Sequence, residues 1–278
     1  MTTWTCFDVT MDGAVAHVRM NQPQRHNAMT PAFWAEIPQL FRQLDAAGGV
    51  RAAVLSSVGK HFSAGMDLSV FANAGTLGTV DVAARERFRH QLRQLQGSFH
   101  AIAEARFPVI AAIQGGCIGG AVDLATACCL RYCSREAWFC IQEINIGMMA
   151  DVGTMNRMPK QIPEAVMREL AYTGDRLGAE RAERLGFVNG LFDDAAATVA
   201  GALAVAQKIA ARAPVAVAAS KEMINYTRDH SVAESFTYMN ALQPGVFDPE
   251  DIARAVAAQK AGQPAAFADL PAIAPPLG

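Results

Sequence analysis

The chain has 278 residues, 51% of them apolar, with 24 basic against 26 acidic side chains and a formal net charge of −2. That is enough apolar chain to bury a sizeable core. The balanced charge excludes a protein built on global attraction to nucleic acid or to an anionic membrane. Apolar runs such as Val109 to Ile113 are far too short to cross a bilayer. The opening MTTWTCFDV lacks the basic start and apolar stretch of a secretory signal. Cysteines stand at 6, 117, 128, 129, 133 and 140, with no CxxC pair. They read as reduced core residues of an intracellular protein, expected in the cytoplasm.

Phe7 to Met20 reads as a β-hairpin with its turn at Asp12-Gly13. A polar loop from Asn21 to Met29 leads to Thr30-Pro31, an N-cap followed by proline at the first helical position. Phe33, Ile37, Leu40, Phe41 and Leu44 follow at helical spacing, with Pro38 as a potential kink. Ala52 to Val58 is a short apolar strand running into the small-residue loop Gly59 to Asp67. Asn73 to Thr79 is Gly-rich and expected to be a mobile loop, and Asp81 to Ala105 is a long helix. Pro108 to Ile113 is a second buried strand, Gly115 to Gly120 a tight turn, and Ala121 to Cys129 the helix after it.

Strands are expected near Leu130 to Cys133 and Ala137 to Ile141, which completes an alternating α/β pattern. From Pro163 onward nearly everything reads as helix, apart from a strand near Phe187 to Leu191. The expected organisation is an α/β core carrying the site over 1–195, a helical region over 196–262, and a proline-rich extended tail over 263–278.

Three segments have the make-up of a site. Gly119-Gly120-Ala121-Val122-Asp123 places a glycine turn at a helix start, where N–H groups lack intrahelical partners and the helix dipole is positive. Such a start can hold a developing oxyanion, although a lone Gly-Gly is more simply a structural turn. Ser63-Ala64-Gly65-Met66-Asp67 is a second small-residue loop directly after a buried strand, so the two loops could converge on one carbonyl oxygen. Glu143 and Asp151 are the acids of a mostly apolar stretch, and an apolar setting raises a carboxyl pKa into the range of general acid–base work. The simpler alternatives are a strand end for Glu143 and an N-cap for Asp151, with a helix starting at Val152. There is no Walker A loop, GxGxxG, HExxH or nucleophile elbow, and the six histidines show no metal-ligand spacing. His26, His61 and His100 read as ordinary loop or helix residues.

Together these segments resemble the crotonase, or enoyl-CoA hydratase/isomerase, superfamily over roughly residues 7–260. The resemblance is carried by Asn21-Gln22-Pro23 with Asn27-Ala28-Met29, by His61-Phe62-Ser63-Ala64-Gly65-Met66-Asp67, and by Ile113 to Gly120. The dienoyl-CoA isomerase subgroup is similar in GGCIGGAVDLATAC at Gly115 to Cys128, RYCS at Arg131 to Ser134, ADVGT at Ala150 to Thr154, and Arg228 to Ser235.

The resemblance implies a spiral of ββα turns with a helical trimerisation region, and a homotrimer or a dimer of trimers. It implies an acyl-coenzyme A substrate, with no metal and no redox cofactor. The thioester carbonyl would lie between the backbone N–H groups of Met66 and Gly120. Asp151 would take a proton from C2 of a 3,5-dienoyl thioester, Glu143 would return one at C6, and Asp123 would hold Glu143 in its working protonation state. The place of such a reaction is fatty acid β-oxidation. Coenzyme A would lie along Arg25, His26, Ala64, Asp67 and Leu68. Two other readings stay open: a hydratase using Asp123 and Glu143 to add water to a 2-enoyl thioester, and a non-catalytic binding module of the same fold.

Overall fold

The computed structural model describes residues 3–72 and 81–274, so the expected loop at 73–79 lies outside the described residues. In chain order the strands are β1 (Phe7–Asp12), β2 (Val15–Met20), β3 (Ala52–Ser57), β4 (Val109–Ile113), β5 (Gly116–Ile118), β6 (Leu130–Ser134), β7 (Trp138–Cys140), β8 (Leu177–Gly178) and β9 (Gly190–Phe192). The helices are α1 (Pro31–Ala46), α2 (Ser69–Ala72), α3 (Val82–Glu104), α4 (Gly120–Ala127), α5 (Thr154–Arg157), α6 (Glu164–Thr173), α7 (Ala179–Arg184), α8 (Ala195–Ala210), α9 (Pro214–Asp229), α10 (Val232–Val246) and α11 (Pro249–Ala261). Among the described residues no single helix is long and apolar enough to cross a membrane.

The main sheet has the order β1-β2-β3-β4-β6-β9. Only the β1–β2 hairpin is antiparallel. Asp12 pairs with Val15, so the turn is Gly13-Ala14, one residue later than the sequence indicated, with Gly13 at φ +58°. The remaining strands add in parallel. The central pair, β3 and β4, is buried on both faces and reads in sequence as short, largely apolar runs. Their period of two still divides the side chains. Ala16, Val18, Ala53, Leu55, Ala111 and Ile113 enter the larger core beside α1 and α4. Val15, Ala52, Val54, Ile110 and Ala112 meet Ala202, Ala206 and Ala210 on the other face. Helix α8, which starts at Ala195, therefore covers the sheet.

A second, smaller sheet has the order β5-β7-β8. It corrects the reading of Gly115 to Gly120 as a tight turn only: Gly116–Ile118 pairs in parallel with Trp138–Cys140. The strand expected near Phe187 to Leu191 is Gly190–Phe192, because the Phe187 and Val188 N–H groups ahead of it donate to Ala182 O at 2.9 and 3.4 Å in the turn that closes α7.

Local signals account for several helix ends. The Thr30 hydroxyl accepts from Phe33 N–H at 3.3 Å, and α1 runs on through Pro38 to Ala46. Ser231 and Glu234 form a reciprocal capping box at α10, which continues through Pro244. The tail over 264–274 has no regular secondary structure, yet it is strapped to the core. Arg51 donates to Phe267 O at 2.6 Å and pairs with Asp269 at 2.7 Å. Arg106 donates to Pro271 O at 3.0 Å, and Ile273 N–H donates to Ala46 O at 2.9 Å.

Candidate active site

Two loops leave the same end of neighbouring strands, one after β3 and one after β4, and backbone bonds lock them together. Phe62 N–H donates to Gln114 O at 2.8 Å, Ser63 N–H to Gly116 O at 3.2 Å, and Ile118 N–H to Ser63 O at 3.1 Å. The Asn27-Ala28-Met29 segment fastens the first loop from the other side. Asn27 Nδ2 donates to Val58 O and His61 O at 2.9 and 3.1 Å, and Ser63 Oγ donates to Asn27 O at 2.7 Å. Asn27 stands at φ +53°, a left-handed conformation that asparagine tolerates better than most residues.

Met29 pairs with Met66 as an isolated bridge. Met29 N–H donates to Gly65 O at 2.7 Å and Asp67 N–H to Met29 O at 3.3 Å, which turns Met66 N–H the opposite way. Gly120 is the first residue of α4, so its N–H has no intrahelical acceptor. Among the described residues neither N–H has a backbone partner. They border one space: a Cβ on Gly65 would stand 3.2 Å from Gly120 N, and a Cβ on Gly120 would stand 3.8 Å from Met66 N. Two such donors can stabilise negative charge on one oxygen. The Met66 side chain faces elsewhere, with its Sδ accepting from Trp34 Nε1 at 3.3 Å.

The three acids come together from three elements. Asp123 sits in the first turn of α4 and is 1% exposed. Its Oδ1 accepts from Thr154 N–H at 2.5 Å, and its Oδ2 has no partner among the described residues. Glu143 lies in the 3-10 turn Gln142–Ile146 rather than at a strand end. Its Oε1 is 3.2 Å from where a Gly119 Cβ would be, and its Oε2 is buried and unpartnered among the described residues. Asp151 is half-buried.

The structure corrects the alternative that Asp151 caps a helix beginning at Val152. Helix α5 begins at Thr154, and Asp123 fills the cap role for it from α4. Desolvation pushes the Asp123 carboxyl up to about 6, with the Asp151 charge adding to the rise and Thr154 and Arg157 opposing it. Desolvation, then the Asp123 and Asp151 charges, push Glu143 up to about 7. Burial raises Asp151 as well. The groups therefore titrate as a coupled set.

Arg25, His26, Ala64, Asp67 and Leu68 gather at the mouth of these loops. Ala64 N–H donates to His26 O at 2.9 Å, Arg25 stands 3.6 Å from the Asp67 carboxylate, and Leu68 is exposed. His61 holds more than the sequence indicated. Its Nδ1 accepts from Gly116 N–H at 2.9 Å and pins one loop to the other, and desolvation, which lowers its pKa, favours the neutral ring that can accept. Its position at the head of the His61-to-Asp67 motif was the available signal. Gln96 on α3 was also missed; its Nε2 donates to Asp151 O at 2.8 Å and ties that segment to the long helix. Among the described residues no group of three His, Cys, Asp or Glu is placed to hold a metal ion.

The sequence profile of the enoyl-CoA hydratase/isomerase family matches residues 10–268. The chain is 39% identical over 247 residues to the mitochondrial Delta(3,5)-Delta(2,4)-dienoyl-CoA isomerase of Homo sapiens, covering 88% of this chain and 75% of that protein. It is 35% identical over 262 residues to the peroxisomal Delta(3,5)-Delta(2,4)-dienoyl-CoA isomerase of Arabidopsis thaliana, covering 93% and 94% of the two chains. The solved structure of an enoyl-CoA hydratase from Bacillus anthracis has the same fold, with a TM-score of 0.86 at 24% identity over 95% of this chain and 99% of that one. By profile, relatives and fold alike, this chain belongs to the enoyl-CoA hydratase/isomerase, or crotonase, family.

Proposed function

We propose that this enzyme isomerises a 3,5-dienoyl-CoA to the 2,4-dienoyl thioester in fatty acid breakdown. The thioester oxygen is held by the N–H groups of Met66 and Gly120. Asp151 removes a proton from C2, and the electron pair delocalises over the carbonyl and the two double bonds. Glu143 delivers a proton to C6, so one C–H bond breaks, one forms, and the double bonds shift. Nothing is oxidised or reduced, and the route calls for no cofactor beyond the coenzyme A of the substrate. Arg25, His26, Ala64, Asp67 and Leu68 line the path of the coenzyme. The observation that carries this reading is the third acid: Asp151 is free of the capping role and sits within the field of Asp123 and Glu143. A hydratase needs two acids aimed at one water, and Asp123 already spends one oxygen on Thr154. The test is an ultraviolet assay of purified protein on 3,5-dienoyl-CoA beside 2-enoyl-CoA. Growth of the conjugated 2,4-dienoyl absorbance supports the reading, and rapid loss of enoyl absorbance with no dienoyl turnover defeats it.

The proton route fixes a pH dependence. Asp151 must be ionised, so kcat/KM rises with pH as that carboxyl, raised by burial, loses its proton. Glu143 must be protonated, so kcat/KM falls as pH passes through about 7. The expected profile is a bell whose two apparent values belong to the acid set. A flat profile between about pH 5 and 9 would contradict it.

Assembly is the second expectation. Ile224, Phe236, Met239, Ile252 and Val256 are large apolar side chains exposed on α9, α10 and α11, and Phe247 is exposed at the C-cap of α10. Surface of this kind marks an interaction face. We expect a trimer or a dimer of trimers in sedimentation at micromolar protein; a monomer of 29.6 kDa alone would count against it.

A further inference from the structure

Arg157 takes no part in the reaction above, yet it is 6% exposed and packs on Gly153, beside the Thr154 amide that Asp123 accepts. It is the last residue of α5, and its guanidinium packs on Gly153. A Cβ on Gly153 would run into Arg157 Nη1 and stand 3.2 Å from Cζ. Gly153 has φ +146°, a conformation open to glycine and strained for other residues, so the close approach and the backbone shape require the same residue. Arg157 N–H also donates to Gly153 O at 2.9 Å. The peptide directly after Gly153 donates the Thr154 N–H that Asp123 Oδ1 accepts at 2.5 Å. Arg157 thus touches, by side chain and backbone, the residue whose peptide grips Asp123.

The guanidinium is short of partners. Nη1 is buried with no hydrogen-bond partner among the described residues, and no ion pair of Arg157 occurs among them. A buried cation without compensation is costly. Charged and titratable groups face it from several sides: Arg228 on α9, Glu104 and His100 on α3, and Cys128 after α4. Asp123 in turn faces Glu143, Asp151 and the Cys117 thiol, and Arg157 is the cation whose field reaches it.

We infer that Arg157 is a positioning residue for the acid set: through Gly153 it clamps the Thr154 amide onto Asp123, and its buried positive charge keeps Asp123 ionised so that the shared proton resides on Glu143. This rests on the proposed roles of the acids, but its direct test needs no substrate. Thr154 and Arg157 both pull Asp123 down against its desolvation, whereas only the backbone of Glu143 itself opposes the rise of that carboxyl. The two carboxyls therefore part in the order the proton route requires.

The test is carboxyl titration of the substrate-free protein by carbon-13 NMR of labelled aspartate, with Asp123→Asn to assign the resonance. Arg157→Met keeps length and removes charge. It should raise the Asp123 midpoint by about one pH unit or more, a ten-fold gain in proton affinity, and Arg157→Lys should restore most of the shift. In turnover, Arg157→Met should move the pH profile and lower kcat with KM nearly unchanged. If Arg157→Met does not fold, Arg157→Gln, which keeps donors without charge, must move the midpoint the same way. An Asp123 midpoint that stays put in a folded Met or Gln variant overturns the inference, and so does a Lys variant that behaves like Met. Because the titration is read without substrate, a wild-type enzyme inactive on dienoyl thioesters would overturn the proposed reaction and leave this result standing.

Discussion

Asp151→Asn is expected to abolish isomerisation while coenzyme A binding stays nearly intact. Asparagine is close in size to aspartate but is no base at neutral pH. General-base catalysis is worth roughly a hundred- to ten-thousand-fold, and the loss should be of that order. The structure removes the competing explanation for this acid. A capping Asp151 would tolerate asparagine, which caps as well as aspartate. However, α5 begins at Thr154 and takes its cap bond from Asp123. Binding should survive because the proposed oxyanion donors are backbone groups on other loops and the proposed coenzyme contacts gather around Ala64 and Asp67. The measurement is dienoyl turnover beside calorimetric binding of coenzyme A. An Asn variant with wild-type turnover removes Asp151 from the mechanism.

The second large effect is expected at Gly65→Ala. Gly65 has φ +79°, and a Cβ there would run into the Ile118 carbonyl oxygen and stand 3.2 Å from Gly120 N. The obstacle is backbone on the facing loop, so the two loops must move apart. That is the separation that sets the spacing of Met66 N–H and Gly120 N–H. Losing one oxyanion donor costs about a hundred- to a thousand-fold in kcat, and the variant should approach that range. Backbone strain should also lower stability by about 1–3 kcal/mol, which a thermal melt would register. A folded Gly65→Ala protein with unchanged kcat would show that the paired N–H groups do not hold the thioester oxygen.

The parts of this site that were legible in the sequence are local. Thr30-Pro31 announces α1 because capping is decided within one turn. The apolar runs of β3 and β4 announce buried parallel strands, and a glycine loop follows each of them. The motifs around Asn27, Ser63 and Gly120 are legible for the same reason: each is a contiguous run whose backbone shape needs particular small residues.

What escaped the sequence depends on pairing between distant segments. β5 is three residues inside a glycine-rich run, and its partner lies beyond α4 and β6. The cap of α5 comes from 31 residues upstream. The tail was expected to be extended, and Arg51 and Arg106 strap it down from across the chain. His61 and Gln96 each act on backbone that the linear sequence does not place beside them. A cation such as Arg157 on a short helix reads as a solvated face until packing shows it buried against Gly153.

The most direct test of the central claim is turnover of a 3,5-dienoyl-CoA in deuterated water, read by mass and NMR of the product. The proposed route exchanges Glu143 with solvent and then delivers from it to C6. It predicts a 2,4-dienoyl thioester that has gained no water and carries one solvent deuteron at C6. A product that has gained a water, or one with deuterium at C2 and none at C6, would contradict the account.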